Sequence, residues 1–122
     1  MANEEVQDSI LLSVRKMIGP SEDYDYFDKD LIIHINSVFN ILQQMGLGTE
    51  SGFAITGTEE TWEDFKSATG VTDNIIEMAK SYMYLKVRVQ FDTPTGAVLS
   101  AFQEQIKEYE WRLSVALETD WS

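Results

Sequence analysis

Between Asp28 and Gly48 the chain repeats one apolar step: Leu31, Ile32, Ile35, Val38, Phe39, Leu42 and Met45 recur at intervals of three and four residues. That spacing matches the 3.6-residue period of an α-helix and places these side chains on one stripe, which other elements have to cover. Asp28 or Asp30 stands where a cap is expected. Gly46 and Gly48 follow, and glycine tolerates the left-handed conformation that ends a helix.

The same grammar recurs along the chain. Asn3 to Ile18 puts Val6, Ile10, Val14 and Met17 on one stripe with Leu11 and Ile18 beside it. Glu4, Glu5 and Asp8 lie near the positive end of its macrodipole and Arg15-Lys16 near the negative end, and Gly19-Pro20 stops it. Thr61-Trp62-Glu63-Asp64 has capping-box character and predicts a short helical turn ending near Ser67. After Gly70, Thr72 or Asp73 can cap a third long helix with Ile75, Met78, Ala79, Tyr82, Leu85 or the stem of Lys86, and Val89 inward. Thr93-Pro94 breaks that helix. The last is expected from about Pro94 to Glu118, capped by Asp92 or Thr93. Its inward stripe is Val98, Leu99, Phe102, Ile106, Tyr109, Leu113 and Ala116, and Glu104–Lys107 and Glu108–Arg112 are opposite-charge pairs at helical spacing. Trp62 and Trp111 are expected to pack on the bundle.

Leu47 to Thr61 breaks the pattern, with Gly48, Gly52 and Gly57 punctuating a stretch whose apolar members are Leu47, Phe53 and Ile55. This reads as an irregular loop or short β-hairpin arm, and loops of this length inside a small domain are usually functional or mobile. The expected fold is all-α: one domain over 1–122, a bundle of three to four long helices with an arm at about 47–61.

The totals narrow the function. A chain of 122 residues with 43% hydrophobic content can bury a core without a staple. It has no cysteine, which rules out disulfides, thiolate metal sites and cysteine nucleophiles. No apolar run approaches the roughly 18 residues of a membrane span, and Met-Ala-Asn-Glu-Glu lacks the basic-then-apolar order of a secretory signal. Nine Lys and Arg against 21 Asp and Glu give a net charge of −12. Duplex DNA and anionic membranes both call for clustered cations, and here only Arg15-Lys16, Lys86 with Arg88, and Lys107 with Arg112 are near neighbours.

Candidate chemistry is sparse. His34, the single histidine, lies between Ile33 and Ile35 on the strongest helix. Only Asp30 is a carboxylate within a helical turn, so the residue reads as structural. Glu22, Asp23, Asp25, Asp28 and Asp30 resemble a cation loop but lack its glycine and late glutamate, and capping explains carboxylates ahead of a helix. Glu59-Glu60 and Glu108 with Glu110 read as solvated faces. Nucleotide, nucleophile-elbow and zinc motifs are absent. The expectation is a protein that is not an enzyme and carries no cofactor and no metal.

Three stretches taken together, Asp28 to Gly48, Tyr82 to Thr95 and Gln105 to Leu113, resemble in order and spacing the head–tail connector, or adaptor, proteins of tailed bacteriophages and their prophage relatives. The likeness spans nearly the whole chain. One departure is Thr93-Pro94, where the family often has two consecutive prolines. The resemblance implies a mostly helical subunit in a ring of about twelve identical copies beneath the portal, in the virion neck after assembly in the host cytoplasm. Such a ring would extend the channel through which DNA passes without sequence-specific contact, and dock the next neck or tail-completion protein. It implies no catalytic residue. Leu47, Phe53 and Ile55 of the arm, together with Trp121 near the end, are the expected subunit or partner surface. The alternative is an acidic nucleic-acid mimic, which would present carboxylates in rows to a DNA-binding protein; here many of them sit at helix starts and in loops.

Overall fold

Each stepped apolar stripe needs a partner, and the helices supply one another. A computed structural model describes residues 8–18 and 27–119. Among them the helices are α1 (Ile10–Ile18), α2 (Asp28–Met45), α3 (Trp62–Thr69), α4 (Asp73–Phe91) and α5 (Gly96–Thr119). No described residue lies in a strand. One isolated antiparallel bridge pairs Ser9 with Thr61, and beside it the Ile10 N–H donates to the Glu60 carbonyl at 3.0 Å.

The helix ends follow local chemistry, with corrections to the expected caps. Gly46 closes α2 in the left-handed conformation at φ 108°, where its N–H donates to the carbonyls of Gln43 and Leu42. Thr61 opens α3 with a full capping box: its hydroxyl accepts from the Asp64 N–H, and the Asp64 carboxylate accepts from the Thr61 N–H. That helix continues to Thr69, past the expected end at Ser67. Phe27 holds the cap position of α2, which has no side-chain cap. Asp28 is instead drawn to Arg15 of α1, 3.0 Å away and 5% exposed, tying α1 to α2 by a buried ion pair. The last helix begins at Gly96, two residues later than the proline rule suggests.

Helix α4 is the centre. It packs against α1, α2, α3 and α5, and it buries Ile75, Ile76, Ala79, Tyr82, Met83, Leu85 and Val87. The single stripe expected from sequence captured part of this set. Ile76, Met83 and Val87 lie on other faces, because a helix covered from several sides loses the one-sided pattern by which an amphipathic helix is read. From α2 come Leu31, Ile35, Val38, Phe39 and Leu42, from α1 Ile10, Leu11, Val14 and Ile18, and from α5 Ile106, Leu113 and Leu117. Fully burying a side chain of this size is worth about 1.5–3 kcal/mol.

On α5 the inward stripe is Ile106, Leu113 and Leu117, with Phe102, Tyr109 and Ala116 packed partly against the core. Val98 is exposed, and so is Trp111, at 67%. Trp111 was expected against the bundle. It projects outward because it lies five residues, some 140° of helical turn, from Ile106. Met17 is likewise exposed: α1 turns Ile10, Leu11, Val14 and Ile18 inward.

The buried contact between α4 and α5 includes a polar link. Tyr82 is fully buried, and its hydroxyl donates to Glu110 Oε2 at 2.8 Å. Burial, then that hydrogen bond and the Glu110 charge, push the phenol well above its ordinary value of 10.0. The folded state therefore favours the neutral phenol. This contribution to stability is complete below the unfolded tyrosine pKa and is lost as pH rises above about 10. Tyr82→Phe is expected to cost about 1 kcal/mol at neutral pH and to flatten the alkaline loss of stability, both read from urea unfolding at pH 7 and 11.

Candidate functional site

The expected partner surface centred on the arm, and the structure places most of it inside. Leu47 is 0% and Ile55 1% exposed, and Phe53 is half-buried. The expectation that Ile55 and Phe53 project from the arm is thus corrected. Trp121 lies outside the described residues, as do Glu22, Asp23 and Asp25 of the acidic run and Val6.

Two amide side chains on α2 fasten this arm. Asn36 clamps Ile55 from both sides: its Nδ2 donates to the Ile55 carbonyl at 3.0 Å, and its Oδ1 accepts from the Ile55 N–H at 2.8 Å. The Gln43 amide donates to the Thr49 carbonyl at 2.8 Å, and a Cβ on Gly48 would stand 3.0 Å from Gln43 Cβ, a tight approach that would push Gln43 aside by a few tenths of an ångström. The Leu47 N–H donates to the Leu42 carbonyl and folds Leu47 back onto the core.

Beneath the arm lies an aromatic cluster. Phe39 meets Phe65 at 4.8 Å, Phe53 at 5.0 Å and Trp62 at 5.9 Å between ring centroids, and Phe53 meets Phe65 at 5.0 Å. Such pairs add about 0.5–1.5 kcal/mol each beyond their burial. The Trp62 indole donates to Ser13 Oγ at 3.2 Å, which binds α3 to α1. At the arm's far end Glu60 accepts from the Thr56 N–H and hydroxyl, both at 2.9 Å, and from the Gly57 N–H. Partial burial pushes the Glu60 carboxyl up, but the N–H of Glu60 itself, the Thr56 hydroxyl and the N–H groups of Thr56 and Gly57 pull it further down, leaving it below the ordinary carboxylate range.

Of the remaining sequence candidates, His34, Glu108 and Glu110 have structural partners. His34 Nδ1 lies 3.0 Å from Gln90 Oε1 and its ring stands edge-on to Phe91, so it links α2 to the end of α4. Glu108 pairs with Arg112 at 3.6 Å, and Glu110 is taken by Tyr82. Among the described residues no group of three or more His, Asp or Glu side chains is placed to hold a metal, and no helix is long and apolar enough to cross a membrane.

Two concavities flank α5. One, of about 430 Å³, runs between α1, α4 and α5 past Val14, Met17, Trp62, Tyr84 and Tyr109. The other, of about 440 Å³, lies between α4 and α5 and is lined by Lys86, Val89, Gln90, Gln103, Ile106, Lys107 and Glu110. The pair expected between Glu104 and Lys107 does not form: among the described residues, neither Lys86 nor Lys107 has an ion-pair partner within 4.0 Å.

A family model described as phage connector protein matches residues 10–120. The chain belongs to the phage connector protein family. The match runs from the first described helix through the last, so it covers the arm, the aromatic cluster and both concavities. No curated protein and no solved structure matches the chain. Membership assigns a structural connector role in a phage particle, in keeping with a molecule whose polar side chains are spent on fastening elements together.

The connector's arm gives a direct test. Asn36→Ala leaves the N–H and carbonyl of buried Ile55 without their partners, at about 1–3 kcal/mol for each group. Asn36→Ala is expected to lower the urea midpoint by an amount corresponding to at least about 2 kcal/mol, with helix content unchanged by circular dichroism. A midpoint equal to wild type would mean that the arm is held by other contacts.

Proposed function

We propose that this connector is one domain of the phage head–tail neck, a structural subunit whose identical copies close into a ring beneath the portal. The ring extends the DNA channel and offers a docking face to the next neck or tail-completion protein. The family match across residues 10–120 carries the proposal. Its partners are further copies of itself, about twelve by the resemblance in sequence, and the portal. DNA passes through without specific contact, and the protein resides in the virion neck after assembly in the host cytoplasm.

The charge supports this reading. At −12 per subunit, a ring would surround the duplex with a field of its own sign, which repels phosphates and keeps DNA from adhering to the wall. Repulsion between subunits more than about 10 Å apart is screened at 0.1 M salt, so the same charge does not forbid assembly. Closed rings of identical subunits are the ordinary outcome of head-to-tail contacts whose rotation closes.

The test is reconstitution. Purified chain mixed with its cognate portal is expected to give rings stacked coaxially on the portal in electron micrographs at physiological salt. A chain that neither binds the portal nor forms rings at micromolar concentrations contradicts the proposal.

A further inference from the structure

In a chain with 21 carboxylates and nine basic side chains, most described cations are claimed by acidic partners: Arg15 by Asp28, Lys66 by Asp73, Lys80 by Glu77, Arg88 by Asp92 and Arg112 by Glu108. Lys16, Lys29, Lys86 and Lys107 make no ion pair among the described residues, and of these Lys86 and Lys107 line one concavity together, between α4 and α5. Glu110, the carboxylate in that cleft, has Oε2 engaged by Tyr82. Trp111 follows Lys107 by four residues on the same helix, so it stands one turn away, and it is 67% exposed. An exposed tryptophan has the character of an interface anchor, and two unpaired lysines beside it supply a charge for a partner to complement.

The surface that complements this cleft is on the same molecule. Glu59, Glu60, Glu63 and Asp64 place four carboxylates within six residues, where the arm enters α3, and Glu59, Glu63 and Asp64 are exposed. The strip and the cleft lie at different concavities of the subunit. Trp62, which lies within the strip, lines the concavity on one flank of α5, while Lys86 and Lys107 line the concavity on the other.

We infer that the Lys86–Lys107 cleft, with Trp111 at its rim, receives the acidic strip Glu59–Asp64 of a second copy of this chain. Unlike surfaces meet in such a contact, so it is heterologous and propagates from copy to copy; a ring results when the rotation closes. It rests on the proposed connector role and supplies that role with its subunit contact. Charge complementarity at the contact also fixes register, in molecules whose net charges repel.

The experiment is a charge swap. Lys86→Glu with Lys107→Glu replaces side chains that make no ion pair among the described residues, so circular dichroism is expected to match wild type. Assembly, read by sedimentation velocity alone and by electron microscopy with the portal, is expected to weaken at least roughly tenfold at 0.1 M salt. Glu59→Lys with Glu63→Lys is expected to fail alone in the same way. Mixing the two variants is expected to restore pairs of unlike copies, because each supplies the surface that the other has reversed. Wild-type rings that survive the lysine reversal undiminished overturn the docking and leave the connector role standing. Loss of assembly without rescue in the mixture overturns the acidic strip as occupant. A wild-type chain that stays monomeric alone and on the portal overturns both.

Discussion

Everything in this connector leans on α4. A helix that touches all four others among the described residues must be apolar on more than one face, because each neighbouring element has to be packed closely against it. That requirement explains why Tyr82, the largest of its fully buried side chains, reaches Glu110 on α5 for a hydrogen-bond acceptor. A buried hydroxyl without a partner would cost more than the bond itself gains. Four further polar links join separate elements. Asn36 joins α2 to the arm, Trp62 joins α3 to α1, His34 joins α2 to α4, and Arg15 joins α1 to Asp28.

The helices were largely legible in the sequence because their determinants are local. Three- and four-residue spacing, a capping threonine at Thr61 and a glycine at Gly46 act within one or two turns, and those elements fall where they were expected. The phage connector family was legible too, through the order of three stretches that no single motif would carry. What failed was what depends on contacts between distant residues. Asn36 lies among polar positions of α2 and shows nothing locally of its clamp on Ile55, 19 residues away. The apolar members of the arm looked like a surface because glycines surround them, yet one of those glycines serves close packing: Gly48 lets the chain pass against Gln43. Trp111 is the converse case. An aromatic residue on an amphipathic helix was assigned to the core, and it sits on the outer side.

This reversal relocates the surface available to partners. With Leu47 and Ile55 buried in their own subunit, the arm contributes backbone shape and the carboxylates at its end. In the proposed contact, the exposed Trp111 and the unpaired Lys86 and Lys107 are on α4 and α5. The proposed subunit contact joins two dissimilar faces, one acidic and one basic and aromatic.

The central claim is that the arm belongs to the same cooperative unit as α4. Native-state amide exchange measures this in the free chain, because local openings exchange with smaller free energies than global unfolding. The Ile55 N–H, held by Asn36, is expected to exchange with a free energy close to that of the Tyr82 and Met83 amides. Exchange at Ile55 orders of magnitude faster than at Tyr82, in a chain verified as monomeric, would show that the arm opens by itself and would contradict the account.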